Sequence, residues 1–131
     1  MQMLESLRNK RILIIVAHPD DELLGLGGTM NKLIKEYNVC SKVVILGEGI
    51  TSRSDARNVT EWDKQLEIHK ANTRKAQASI GYHALSLYNF PDNRFDEVAL
   101  LDIIKVIEKE KKEFNPSVIF THHGGDVNID H

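Results

Sequence analysis

His18-Pro19-Asp20-Asp21 places an imidazole and two carboxylates within four positions, immediately after an apolar run. Imidazole combined with carboxylate suits zinc better than magnesium or calcium, which prefer shells made only of oxygen. A catalytic zinc takes three protein ligands and keeps one position open for water. His18 and one of the two aspartates would supply two ligands, so the third must come from elsewhere in the chain. The C-terminal stretch His122-His123-Gly124-Gly125-Asp126-Val127-Asn128-Ile129-Asp130-His131 is rich enough in histidine to provide it. The competing account is a polar turn whose His and Asp merely cap the next helix.

The elements that must position these residues follow from hydrophobic periodicity. Arg11 to Ala17 is a continuous apolar, β-branched run, the mark of a strand buried on both faces. Met30, Leu33, Ile34 and Tyr37 recur at helical spacing and predict a helix over 27–37. Residues 41–46 read as a second buried strand, and 47–63 as a long polar loop of the kind that is usually functional. A helix over 66–80 ends at Gly81, and a third strand over 84–88 is broken by Phe90-Pro91-Asp92-Asn93. Asp96 is expected to cap a helix over 97–113, with Leu100, Leu101, Ile104 and Ile107 facing inward and Asp102, Lys105, Lys109 and Lys112 facing water. A fourth strand, 117–121, follows Pro116. This β-α-β-α-β-α-β order predicts an α/β fold, a Rossmann-like open parallel sheet with helices on both faces. Ligands of such sheets sit outside the carboxyl ends of the strands. The residues that follow the four predicted strands carry nearly all the chemically capable side chains, and they fall on one edge of the sheet.

Composition narrows the function classes. The chain has 131 residues, enough for one domain over 1–131, with 41% hydrophobic and 27% charged residues. Lys plus Arg is 17 and Asp plus Glu is 19, a formal charge of −2, which is no nucleic-acid footprint. The longest apolar run, Ile12 to Ala17, is far too short to span a membrane, and residues 1–11 lead into a strand rather than a signal-peptide core. Cys40 is alone, so an internal disulfide is excluded and a reducing, cytoplasmic setting is expected.

Ala17-His-Pro-Asp-Asp-Glu22 with Gly25-Leu-Gly-Gly28 resembles the first motif of the PIG-L/LmbE-like family of zinc-dependent N-deacetylases. Thr121-His-His-Gly-Gly-Asp-Val-Asn-Ile-Asp-His131 resembles that family's second motif. The resemblance implies that His18, Asp21 and His131 hold Zn²⁺ and that Asp20 is the general base for hydrolysis of an acetamide. It implies a small-molecule substrate, an N-acetylated amino sugar or glycoconjugate. Many relatives carry His where this chain has Asn128, so oxyanion stabilisation falls to Asn128, His122 or His123. Glu48 and Arg53 lie in the segment similar to the family's substrate-facing loop, and Asp92 and Arg94 follow the third strand on the same edge. Family members continue well past the second motif, so the resemblance implies an incomplete domain truncated at its C-terminus, whose uncovered sheet edge offers a route to homo-oligomers. The alternative is a non-catalytic Rossmann-like module that binds metal or nucleotide.

Three further residues carry weaker signals. His69 shares helical spacing with Leu66 and Thr73 and reads as a packing histidine, and His83 as a surface one. Trp62 fits either a sugar-stacking platform or a loop staple. Gly25, Gly27 and Gly28 do not complete a dinucleotide fingerprint, because Met30 stands where the last glycine would be.

Overall fold

The computed structural model describes residues 2–131. A short helix α1 (Gln2–Ser6) leads into β1 (Arg11–Val16), followed by α2 (Asp21–Leu24), α3 (Gly27–Glu36) and β2 (Cys40–Gly47). A 3₁₀ turn over Thr51–Arg53 precedes α4 (Val59–Ile80) and β3 (Ala84–Phe90). A second 3₁₀ turn, Phe95–Glu97, precedes α5 (Leu100–Phe114) and β4 (Val118–Phe120). The strands form one sheet in the order β3-β2-β1-β4, parallel throughout. The expected α/β architecture is therefore present.

Strand periodicity sorts the core into two layers. Ile12, Ile14 and Val16 point to one face and meet Met30 and Leu33 of α3, Val43, Ile45 and Tyr82, with Ile80 at the end of α4 packed against them. Leu13, Ile15 and Ala17 point to the other face and meet Val44, Leu46, Phe95 and Phe114, with Ile103, Val106 and Ile107 of α5. Alternate side chains of a strand take opposite faces, so β1 needs apolar residues at every position to feed both layers. Helices thus cover both faces of the sheet.

Two helices depart from their predicted bounds. Helix α4 begins at Val59 instead of 66, because the Asn58 side chain accepts the Glu61 N–H and caps it. Asp96 does not cap α5; it lies in the 3₁₀ turn, and Ala99 is the N-cap. The rotation of α5 also differs from the expected one. Ile103, Val106, Ile107 and Phe114 face the sheet, whereas Leu100, Leu101 and Ile104 are 70%, 57% and 39% exposed. Among Gly25, Gly27 and Gly28, only Gly27 meets another helix, lying against Ile80 of α4.

In a parallel sheet the strand order reverses at a switch point, and the crevice there is open. Here β1 continues to β2 and β3 on one side, while β4 pairs on the other. The carboxyl ends of β1 and β4 deliver His18 and the His122–His131 segment to that crevice.

Candidate metal centre

The turn after β1 is held in an uncommon conformation. Asp20 adopts φ 107°, a left-handed geometry that non-glycine residues take up at a cost. Two carboxylates fix it. Glu22, 3% exposed, accepts the Asp20 N–H at 2.9 Å, and Asp21 Oδ2 accepts the His18 N–H at 2.9 Å. The side chain of Asp20 caps nothing in α2, so simple helix capping does not account for this cluster.

His18 Nε2 donates to Asp130 Oδ2 at 2.7 Å. The Asp130 side chain has no exposure, and it also accepts the N–H groups of Asn93 (2.7 Å) and Phe95 (3.0 Å). An Nε2–H committed to this carboxylate leaves the Nδ1 lone pair of His18 free, and Nδ1 lies 3.6 Å from Asp21 Oδ2. His131 repeats the arrangement with its nitrogens exchanged. Its Nδ1 lies 2.9 Å from Asp126 Oδ2, and its Nε2 lies 3.4 Å from Asp21 Oδ2. Both ring nitrogens of His131 are buried and neither completes a hydrogen bond.

One ligand atom each from His18, Asp21 and His131 therefore lies within 4.8 Å of the other two. The His18 ring is oriented from behind by a carboxylate, Asp126 lies close to the far nitrogen of His131, and the His131 nitrogen that faces Asp21 has no hydrogen-bond partner. This is the donor set that a tetrahedral zinc with one open position requires. His18, Asp92 and Asp130 form a second group of the same span. Asp130 there is fully occupied by three N–H donors, so that group is the hydrogen-bonded support of His18.

His122 stacks on His131 with ring centroids 3.7 Å apart and planes 3° from parallel. Its Nε2 accepts the Ala17 N–H at 2.9 Å, which fixes the neutral ring with the proton on Nδ1. Burial, and next the neighbouring His131, hold the His122 pKa below the usual histidine value, in keeping with that acceptor role. Asp20 stands at the mouth of the site. Partial burial of its carboxyl, and then the charge of Asp21, raise its pKa. Two cavities, about 360 and 330 Å³, meet at His122 and His131 and open the centre to solvent.

The remaining expected site residues are distributed unevenly. Asn128 is a brace: its amide donates to Asn93 Oδ1 at 3.0 Å, and its carbonyl oxygen accepts the Asp130 N–H at 2.9 Å. His123 is exposed. Asp92 is buried 3.5 Å from His18 Nε2 and accepts both the N–H and the hydroxyl of Ser52. Glu48 is closed off, because Arg57 binds both its oxygens at 2.8 and 2.9 Å and Thr51 donates to it at 2.7 Å. Arg94 donates to the Asp55 carbonyl and ties the two loops together. Arg53 lines neither cavity at His122 and His131; it lies beside Trp62, Gln65 and His69.

Four residues with defined roles here were not singled out from the sequence: Asp130, Asp126, Glu22 and Arg57. The first three lie inside the two motifs, where acidic residues beside histidines are a usable signal. Arg57 lies in a polar loop that offers none.

Solved structures with the same fold include N,N′-diacetylchitobiose deacetylase from Pyrococcus horikoshii, bound to its inhibitor MPG. It superposes with a TM-score of 0.75 at 22% identity, over 99% of this chain and 50% of that one. GalB, the 4-carboxy-2-hydroxymuconate hydratase from Pseudomonas putida, matches at TM-score 0.74 and 20% identity, over 93% of this chain and 51% of its own. A deacetylase of teicoplanin biosynthesis matches at TM-score 0.68 and 17% identity, over 85% and 54%. The chain thus spans about half the length of these structures. No curated protein matches it by sequence. Residues 13–131, which include both motifs and every side chain of the histidine–aspartate cluster, match the family described as PIG-L: GlcNAc-PI de-N-acetylase, and the chain belongs to that family.

Proposed function

We propose that the chain carries the metal centre of a zinc-dependent N-deacetylase acting on an N-acetylated amino sugar or glycoconjugate. The observation that carries this reading is the convergence of His18 Nδ1, His131 Nε2 and Asp21 on one point, with Asp130 hydrogen-bonded to the other nitrogen of His18 and Asp126 2.9 Å from that of His131. Zinc held there would act as a Lewis acid toward an amide carbonyl and lower the pKa of water to about 7. Asp20 is the general base. Its strained turn holds it beside Asp21 without a ligand's role, free to accept a proton. Asp92 and the Ser52 hydroxyl bound to it lie behind His18, on the side of its Nε2, and belong to the support of that ring. Oxyanion stabilisation is assigned to His122, whose Nδ1–H is left unused by its contact with Ala17. Asn128 and His123 are less suited, one being engaged as a brace and the other exposed.

The test has two arms. The purified chain is analysed for bound metal, and acetate release is followed with N-acetylglucosamine glycosides. One zinc per chain together with acetate release supports the reading. Metal without acetate release from any amide supports the alternative of a non-catalytic metal-binding module, and absence of metal removes both.

A further inference from the structure

A trough runs from Asp20 of the first motif along α4, a helix that lies outside both motifs. Near the centre, a cavity of about 100 Å³ is lined by Asp20, His69 and Asn72. A second, of about 170 Å³, is lined by Arg53, Trp62 and Gln65 and again by His69 and Asn72. The shared side chains join the two into one depression. Trp62, Gln65, His69 and Asn72 are spaced three, four and three apart, which makes a single straight stripe on the helix. From His69 to Trp62 the helix rises about 10 Å, more than one pyranose ring occupies.

The lining defines the chemistry of an occupant. Trp62 has already committed its indole N–H to Ser54 Oγ at 2.9 Å, and Ser54 in turn donates to Glu61. What the half-buried ring still offers is a flat apolar surface held in fixed orientation. Gln65 and Asn72 are exposed amides, each with donors and an acceptor suited to hydroxyl groups. His69 is half-buried and packs against the β2 loop, as its helical spacing led us to expect. Its Nε2 lies 3.1 Å from where a Cβ on Gly49 would stand, and Gly49 has φ +72°, so the backbone of the β2 loop approaches the ring closely. Among the described residues, Arg53 is the one cation lining the trough, whose other end carries Asp20. That balance disfavours a polyanion and suits a neutral polyhydroxylated chain.

We propose that this stripe is a binding site for further sugar rings of an oligosaccharide or extended glycoside, whose terminal N-acetyl group enters at Asp20. The proposal rests on the deacetylase reading for the direction of the substrate. The binding it asserts is measured without catalysis. Trp62 is the only tryptophan in the chain, so its fluorescence reports the trough directly.

The zinc-loaded chain is titrated with N-acetylglucosamine and with tri-N-acetylchitotriose, and binding is followed by Trp62 emission and by calorimetry. The expected result is a change in emission with the trisaccharide and an affinity at least about tenfold tighter than for the monosaccharide, the gain of one or two added neutral contacts. Asn72→Ala and Gln65→Ala, both at exposed helix positions, should each reduce that preference severalfold with the circular dichroism unchanged. Equal affinity for the two sugars, or trisaccharide binding by calorimetry that leaves Trp62 emission unchanged, overturns the proposal. If the trisaccharide binds at Trp62 but no acetate is released, the site stands and the deacetylase reading falls. If acetate is released equally from both sugars with Trp62 silent, the reading stands and the site falls.

Discussion

At the scale of single residues, Asp130 shows how a buried carboxylate can orient a candidate ligand from behind. It has no side-chain exposure and receives three N–H donors, one of them from the His18 ring. Asp130→Asn would replace one acceptor oxygen by an amide donor facing N–H groups, and His18 would lose the bond that fixes its tautomer. We expect zinc affinity to fall about 10–100-fold, measured by competition with a chromophoric chelator. Asp126→Asn should cost less, because Asp126 is on the rim with its side chain 37% exposed. The adjacent aspartates separate by role. Asp20→Asn should retain zinc and lose about 10²–10⁴-fold in turnover, whereas Asp21→Asn should lose the metal itself. Equal metal loss in both would end that division. The residue types and spacing around His18 make the centre legible from sequence alone, since imidazole and carboxylate on one strand end have few other uses. The supporting carboxylates are hidden there, because their role depends on which ring nitrogen faces the metal, and only the folded arrangement decides that.

Among the elements, β2, β3 and α5 are locked by a buried polar cluster that periodicity does not announce. Lys42 Nζ lies 2.7 Å from Glu110 Oε2, and the Tyr88 hydroxyl donates to Glu110 Oε1 at 2.6 Å, with Glu110 only 2% exposed. Burial alone would raise the Glu110 pKa, but hydrogen bonds from Lys42, Tyr88 and Ser86 outweigh it and hold the carboxyl below its ordinary value. The same cluster pushes Tyr88 up to about 12, through burial first and Glu110 second. A carboxyl with a depressed folded pKa stabilises the fold above its unfolded pKa, and that contribution is lost as pH falls through the folded value. Lys42→Met leaves a buried carboxylate unpaired and should cost about 3–5 kcal/mol at pH 7 by urea denaturation. The deficit should shrink on acidification, because Glu110 in the variant takes up a proton more readily than in the parent. Gly47→Ala is a second test of the same layer. A Cβ there would lie 2.7 Å from the Ala17 carbonyl and 3.0 Å from Phe95, a backbone clash expected to destabilise by about 1–3 kcal/mol. The four strands and the three long helices are readable because buried runs and turn residues alternate cleanly. The rotation of α5 is not. Leu100, Leu101, Ile103, Ile104 and Ile107 supply apolar residues to more than one helical face, so spacing alone cannot say which face meets the sheet. The start of α4 escapes a reading by hydrophobic spacing, although Asn58 and Glu61 form a recognisable capping pair.

For the molecule as a whole, the placement of the site follows from the topology. The reversal of strand order between β1 and β4 opens one crevice, and both histidine motifs emerge there. Beside that crevice the surface is unusually apolar. Leu100, Leu101 and Ile104 on α5, Ile119 on β4 and Ile129 in the last loop are all exposed, at 39% to 70% of their area. A cavity of about 360 Å³ lined by Leu100 and Ile129 is floored by Ile15, Leu46 and Ile103. Among the described residues, strand β4 has three residues and pairs on one side only. Contiguous apolar surface next to that strand favours association. We therefore expect this chain to self-associate with rising concentration, by sedimentation velocity. Leu101→Glu with Ile104→Lys should abolish that association. Because neither side chain is in the core, the double variant should keep its unfolding midpoint, within about 0.5 kcal/mol of the parent. A loss of several kcal/mol would mean that the α5 face packs inward after all, and an unchanged sedimentation profile would place the contact elsewhere on the molecule.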